Sequence, residues 1–100
     1  VWVLGNGEIK MVSDRITVKN PSGLHLRPAG VFCKEATKFD CQITFHFKGS
    51  TANAKSVLSV LGAGVKSGDT IELVCDGKDE EEALEAMRNL AETGLAEVDK

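Results

Sequence analysis

The stretch RITVKNPSGLHLRPAGVFCKEATKF, residues 15–39, changes its hydrophobic period midway and thereby decides the fold. Residues 15–19 alternate polar and apolar side chains, which predicts a strand with one buried face. Residues 20–23, NPSG, are turn formers that end this strand. From Pro28 the apolar residues follow helical spacing, and a proline suits the first turn, where its missing N–H costs nothing. The apolar side of the predicted helix consists of Ala29, Phe32, Cys33, Ala36 and Phe39.

The remaining sequence repeats these two periods in a fixed order. Residues 42–48 alternate and predict a strand, which a turn joins to a short, weak strand at 51–53. A short helix is predicted at 56–61, and Gly62 and Gly64 are predicted to stop it. A strand at 70–75 and a final helix that Gly94 caps follow. The order β-α-β-β-α-β-α predicts an α+β fold, an open-faced β-sandwich with helices on one side of a mostly antiparallel sheet. The apolar side of the final helix consists of Ala83, Leu84, Met87, Leu90 and Ala91.

Length and charge limit the classes of protein to which this chain can belong. One hundred residues suffice for one domain with a single core. Residues 1–75 carry nine basic and six acidic side chains, a balance of +3, whereas residues 76–100 carry three and nine, a balance of −6. Direct nucleic-acid binding calls for a dense basic stripe, and membrane insertion calls for about 20 consecutive apolar residues. The sequence has neither feature, so we expect neither interaction.

The cysteines and the first ten residues carry less information. Cys33, Cys41 and Cys75 are odd in number and lack C-x-x-C spacing. We therefore interpret them as reduced core residues of a cytoplasmic protein without a metal site. Residues 1–10 contain an Asn-Gly turn signal, but a self-sufficient segment begins at residue 11. We accordingly treat residues 1–10 as an N-terminal extension or a cloning remnant and residues 11–100 as the domain.

The octapeptide SGLHLRPA, residues 22–29, places an imidazole and a guanidinium at the start of the first predicted helix. The N-terminus of a helix offers unpaired N–H groups and a positive partial charge, and both favour a bound anion. Neutral imidazole is a usable nucleophile near neutral pH. We therefore predict that His25 carries a phosphoryl group that Arg27 stabilises. The alternative is that His25 is a loop residue that caps the helix or packs locally.

Residues 23–29, GLHLRPA, resemble the active-site motif of HPr, the histidine-containing phosphocarrier family of the bacterial sugar phosphotransferase system. The resemblance extends over about residues 12–95 and includes KG at 48–49, AKS at 54–56 and the loop 62–69. It implies a four-stranded antiparallel sheet covered on one side by three helices. It also implies a covalent phosphoryl carrier that has no cofactor and no turnover of its own.

The resemblance further implies roles for the residues around the predicted phosphoryl site. His25 would accept phosphate at Nδ1 from phosphorylated enzyme I and donate it to enzyme IIA domains of sugar permeases. Arg27 would neutralise and steer the phosphate, while Ser22 and the backbone at Pro28 and Ala29 would help to hold it.

Ser56 stands before the second predicted helix, where a serine is a good N-cap worth about 1 kcal/mol. It also matches the serine that a dedicated ATP-dependent kinase modifies in Gram-positive members, which implies a serine kinase/phosphorylase as a further partner. A phosphate there would lie at the rim of an apolar patch and weaken docking onto an acidic enzyme I surface. The predicted docking residues, for which ordinary core packing is the alternative, are Leu24, Leu26, Val57, Leu58 and Leu61.

Other interpretations stay open at this point. One is a regulatory binding module whose Ser56-phosphorylated form acts as corepressor for a transcription factor, although related regulators of this fold lack the histidine. Others are a carrier for a specialised nitrogen or dihydroxyacetone phosphotransfer branch and a structural domain with a coincidental motif. Among the other polar residues, we expect His46 at the surface and residues 79–82, DEEE, to form a solvated helix start that suits the helix dipole.

Overall fold

The computed structural model describes residues 2–3 and 9–95, which form one sheet and three α-helices. The strands are β1 (Trp2–Val3), β2 (Ile9–Thr17), β3 (Gln42–Phe47), β4 (Ser50–Asn53) and β5 (Thr70–Asp76). The helices are α1 (Leu26–Ala36), α2 (Val57–Ala63) and α3 (Glu80–Asn89), and a π-helical turn (Leu90–Gly94) continues α3.

The strands lie in the order β1-β2-β5-β3-β4, and all neighbours are antiparallel. Strands β2, β5, β3 and β4 are the four expected from the sequence, and β1 adds a short edge where Trp2 pairs with Met11. Strand β2 begins at Ile9, so it crosses the predicted boundary between residues 10 and 11. The assignment of residues 1–10 to an extension stays a prediction, and their Asn-Gly turn lies outside the described residues.

The core lies between the helices and the inner face of the sheet. Alternate residues of β3 and β5 are buried, as the period of two predicts. The ring of Phe45 on β3 meets the ring of Phe32 on α1 edge to face, with centroids 6.1 Å apart. The predicted open-faced α+β sandwich is therefore confirmed. The apolar side of α1 is also as predicted, except that Phe39 lies beyond the end of the helix and is half-buried.

The prediction for the three cysteines is confirmed. Cys33, Cys41 and Cys75 are all buried and free, as expected.

The predicted cap at Gly94 is wrong. Gly94 does not end α3 in a left-handed conformation, because the chain continues through the π-helical turn to the buried Leu95. The apolar contact of Leu95 with the core is nevertheless present.

The acidic start of α3 is only partly solvated, so the prediction for residues 79–82 is wrong in part. The carboxylate of Asp79 accepts hydrogen bonds from the backbone N–H groups of Asp40 and Cys41, both at 2.9 Å. Glu80 is only 7% exposed, and its Oε1 accepts from the N–H of Gly77 at 3.1 Å. Asp79 therefore satisfies backbone donors where α1 connects to β3, a tertiary role that its charge alone does not predict, and Glu80 satisfies one in the turn between β5 and α3.

The Asp79 contacts make stability depend on pH in a defined direction. The hydrogen bond from the Asp40 N–H is the largest cause that lowers the pKa of Asp79 below its usual value. The stabilisation is therefore complete above the unfolded-state pKa and is lost as pH falls through the lower folded-state pKa. We expect Asp79→Asn to lower the urea midpoint at pH 7 and to differ less from wild type at pH 2.5. Asp76→Asn, at an exposed residue, serves as the control. A decrease in the urea midpoint of Asp79→Asn that is equal at both pH values would contradict this explanation.

Candidate functional site

His25 is the N-cap residue of α1. Its backbone is extended, with φ −82° and ψ −175°, and its carbonyl accepts the first helical hydrogen bond from the N–H of Ala29 at 2.7 Å. Its side chain is exposed and makes no capping hydrogen bond. The alternative that the imidazole caps the helix is therefore wrong, and local packing does not bury it. The ring is left available for chemistry.

Two backbone N–H groups beside His25 precede the first helical hydrogen bond. They belong to Leu26 and Arg27, the first two residues of α1. The helix begins two residues before the predicted start at Pro28. In the part of the chain that the structure describes, neither group donates to another residue. Oriented N–H groups at a helix N-terminus, with the helix dipole behind them, favour an anion. A phosphoryl group on the adjacent ring would have these donors within its reach.

The predicted role of Pro28 and Ala29 in holding phosphate requires correction. Pro28 has no N–H, and the N–H of Ala29 already donates to His25 O. Both residues are buried, so they contribute by fixing the first turn of α1. The sequence pattern alone does not single out the N–H groups of Leu26 and Arg27. The signal that could have revealed them is that proline is tolerated throughout a first turn, where all N–H groups lack helical partners.

Two polar side chains flank His25. Arg27 is exposed, and no described carboxylate lies within salt-bridge distance of its guanidinium. Its planar fork is therefore available to bind an anion. Ser22 is exposed in the turn that precedes the helix. Arg27 and Ser22 thus lie on the solvent side of the same loop and first turn as His25.

Leu24 is a core residue, so its predicted place in the docking patch is wrong. It is only 3% exposed, and its N–H donates to the carbonyl of Val65 at 3.0 Å. This bond joins the loop before α1 to the segment after α2. The preceding Gly23 has φ +66° and lies against the backbone of Lys66. The chain therefore turns Leu24 inward and His25 outward at consecutive positions.

Ser56 is the N-cap of α2, as predicted. Its Oγ accepts from the N–H of Ser59 at 3.3 Å, and its side chain is half-buried. The helix ends at Gly64, which adopts the left-handed conformation with φ +70°. The predicted cap and stop signals are both confirmed, although Gly62 lies within the helix. Modification of Ser56 is a separate matter and stays a prediction.

Of the other predicted docking residues, two are strongly exposed. Leu26 on α1 is 64% exposed and Leu58 on α2 is 82% exposed. They are the large apolar side chains that the described surface leaves uncovered. Val57 and Leu61 are half-buried, with Leu61 packed against the core. The strongly exposed part of the predicted patch therefore reduces to Leu26 and Leu58.

The remaining reactive side chains lie outside this site. Burial raises the pKa of the Cys41 thiol to about 11 and that of Cys75 to about 12, so both remain protonated and poorly nucleophilic at neutral pH. His46 is exposed on β3, as predicted, and its Nδ1 is hydrogen-bonded to Thr51 Oγ1 at 2.8 Å.

Among the described residues there is no group of histidine, cysteine and acidic side chains suited to a metal ion. None of the described helices is long and apolar enough to cross a membrane.

Comparison with known proteins identifies the family of this chain. Residues 12–93 match the family model described as the PTS HPr component phosphorylation site. The chain is 39% identical over 88 residues to the phosphocarrier protein HPr of Lysinibacillus sphaericus, covering 87% of this chain and 100% of that protein. It is 40% identical over 77 residues to the HPr-like protein Crh of Halalkalibacterium halodurans, covering 77% of this chain and 92% of the relative.

The fold agrees with a solved structure of a phosphocarrier protein. The crystal structure of a phosphocarrier protein HPr from Bacillus anthracis superposes with a TM-score of 0.79 at 37% identity. The superposition covers 81% of this chain and 96% of that structure. The chain belongs to the HPr family of phosphocarrier proteins of the phosphotransferase system.

Proposed function

We propose that this protein carries a phosphoryl group on His25 from phosphorylated enzyme I to enzyme IIA domains of sugar permeases. The observation that carries the proposal is the exposed His25 ring beside the N–H groups of Leu26 and Arg27. Three free, buried cysteines suit a cytoplasmic location for this exchange. Incubation with phosphoenolpyruvate and enzyme I tests the proposal. An acid-labile, base-stable phosphate on the protein supports it, and a folded protein that takes up no phosphate contradicts it.

The chemical step is an exchange of one bond to phosphorus for another. Neutral His25 attacks phosphorus with the lone pair of Nδ1, and a nitrogen–phosphorus bond forms. The bond between phosphorus and its donor atom in enzyme I breaks, and the electron pair of that bond stays with the donor. The positive end of α1 favours the phosphoryl dianion that the transfer places beside it. The reverse exchange delivers the group to the enzyme IIA domain.

The site holds phosphate firmly enough to orient it and weakly enough to release it. A helix N-terminus contributes roughly 0.3–2 kcal/mol to binding a negative charge, and a charged hydrogen bond about 1.5–3 kcal/mol. The first source here is α1, and the second is the guanidinium of Arg27. These energies bias the position of the phosphoryl group without making its bond to the ring inert. Transfer to a second partner therefore remains possible.

Arg27 offers a direct test of the charge contribution. We expect Arg27→Ala to leave the fold intact, because the side chain is exposed. Loss of one charged hydrogen bond, about 1.5–3 kcal/mol, should slow phosphoryl transfer by roughly 10- to 100-fold. Arg27→Lys keeps the charge without the planar fork and should recover part of the rate. Stopped-flow transfer from phosphorylated enzyme I measures the effect, and wild-type kinetics in Arg27→Ala would remove the guanidinium from the mechanism.

A second, regulatory function has its own support. The chain resembles the HPr-like protein Crh as well as phosphocarrier proteins, and Ser56 is a half-buried cap next to the exposed Leu58. We propose that a kinase phosphorylates Ser56 and that the added charge weakens docking through the surface formed by Leu26 and Leu58. The modified form would serve as corepressor for a transcription factor. His25 still favours the carrier role as the main function.

Ser56→Asp tests the electrostatic part of this regulation. The variant should raise the KM for enzyme I by about tenfold while changing kcat little, because a charge at the rim opposes association. Ser56→Ala removes the cap without adding charge, and Ser50→Asp places the same charge on β4. Neither control should raise KM as much. Equal KM values for wild type and Ser56→Asp would rule out this electrostatic mechanism.

A further inference from the structure

A buried side chain supports the loop that carries His25. Asn20 lies between β2 and α1 and is only 1% exposed. Its Nδ2 donates to the carbonyl of Gly23 at 2.8 Å, and its own carbonyl accepts from the N–H of Gly23 at 3.1 Å. A buried amide side chain is costly to desolvate unless it forms hydrogen bonds. Asn20 is thus a polar residue in the core whose side chain and backbone both bind Gly23.

The bond from Asn20 has a specific consequence for the peptide unit between Gly23 and Leu24. The carbonyl of this unit accepts from Asn20 Nδ2, and its N–H donates to the carbonyl of Val65 at 3.0 Å. Both polar ends of one peptide plane are therefore held, one by a side chain and the other by a distant part of the backbone. Rotation of this plane would break two hydrogen bonds inside the protein.

The held peptide unit lies directly before His25. On the other side, the carbonyl of His25 accepts from the N–H of Ala29 and belongs to the first turn of α1. The backbone of His25 is thus fixed from both directions, although its ring is exposed. An exposed nucleophile on a loose loop would sample many orientations, and a displacement of about 1 Å can cost about a hundredfold in rate.

We propose that Asn20 is a positioning residue, which directs the His25 ring toward the incoming phosphoryl group by holding the Gly23–Leu24 peptide. This inference rests on the proposed function of His25. It adds that orientation of the backbone, besides the charge at the helix end, contributes to the transfer rate. Asn20 does not touch the reacting atoms, so its effect passes through Gly23 and Leu24.

The test separates this role from a general contribution to stability. Asn20→Ala removes the side-chain donor, and Asn20→Ser retains a shorter one. Asp79→Asn is the matched control, because it weakens hydrogen bonds between a side chain and the backbone at the opposite end of α1, about 16 Å away by helix length. Each variant is studied well below its melting temperature, with rates corrected for the folded fraction. The measurements are kcat and KM for transfer from phosphorylated enzyme I and hydrogen exchange at the Leu24 amide.

We expect Asn20→Ala to lower kcat by about tenfold with KM within about twofold of wild type, because the exposed docking residues are unchanged. The Leu24 amide should exchange about tenfold faster than the global stability alone explains. Asn20→Ser should fall between wild type and Asn20→Ala, and this variant decides the test if Asn20→Ala does not fold. Asp79→Asn should change neither kcat nor the corrected Leu24 exchange.

Two results would overturn the inference while leaving the function of His25 in place. One is a wild-type kcat in folded Asn20→Ala and Asn20→Ser, and the other is unchanged protection of the Leu24 amide in both. A tenfold loss of kcat in Asp79→Asn as well would show that Asn20 acts only through overall stability. That result would also overturn the inference. Failure of the proposed function is distinct from these results, because in that case the wild-type protein itself takes up no phosphate.

Discussion

Replacing His25 with alanine is expected to abolish phosphorylation by phosphoenolpyruvate and enzyme I. The imidazole is the only group in the account that forms a bond to phosphorus, so its loss should reduce labelling by at least about a thousandfold. The fold should persist, because the ring is exposed and makes no capping hydrogen bond. The helix start also depends on the His25 carbonyl, which alanine retains. Labelling with radioactive phosphoenolpyruvate, together with circular dichroism, measures both effects.

The chain contains a matched control for this experiment in its second histidine. His46 lies exposed on β3, away from any helix N-terminus, and bonds to Thr51. His46→Ala should therefore be labelled at the wild-type rate. Retained labelling in His25→Ala, or loss of labelling in His46→Ala, would be incompatible with the assignment of the phosphoacceptor.

Replacing Gly23 with alanine is expected to cause the largest structural effect near the site. Gly23 has φ +66°, and an added Cβ would lie 2.7 Å from Lys66 Cα and from the carbonyl oxygen of Val65. A left-handed conformation costs a non-glycine residue roughly 1–2 kcal/mol, and forced overlap with backbone adds about 1–3 kcal/mol. Together these effects predict a loss of roughly 2–5 kcal/mol in unfolding free energy. The loop should also move away from the Val65 segment, which would displace His25 and slow transfer.

Gly64 separates the conformational cost from the overlap. It has a similar φ of +70°, but an added Cβ meets no atom within 4 Å. Gly64→Ala should therefore lose only the conformational cost of roughly 1–2 kcal/mol and transfer phosphate normally. Urea denaturation and transfer kinetics on both variants make the comparison. Equal losses of unfolding free energy in the two variants would show that the close approach of Gly23 to Lys66 adds nothing to the cost of the substitution.

The features that the sequence predicts well are those that depend on near neighbours. The apolar side of α1 follows from helical spacing, and the cap at Ser56 and the stop at Gly64 follow from the chemistry of single residues. The exposed ring of His25 also follows locally, because turn residues precede it and a first-turn proline follows it. The resemblance to HPr adds the number of strands and helices, which the family match and the related crystal structure support.

The features that the sequence predicts poorly depend on distant contacts. Leu24 and Leu26 are the same residue type on either side of His25, yet the hydrogen bond to Val65 turns only Leu24 inward. The carboxylate of Asp79 binds the N–H of Asp40, which is 39 residues away along the chain. Charge patterning alone places that carboxylate in solvent. The same limit applies to Asn20, whose partner is close in sequence but whose burial depends on the whole fold.

The most direct test of the central claim is to locate the phosphate on the protein. Uniformly ¹⁵N-labelled protein, incubated with phosphoenolpyruvate and enzyme I, can be examined by NMR for phosphorus coupling to the histidine ring nitrogens. We expect one phosphoryl group, bonded to Nδ1 of His25, with the resonances of His46 unchanged. Phosphate bonded to any other side chain of the folded protein would contradict it.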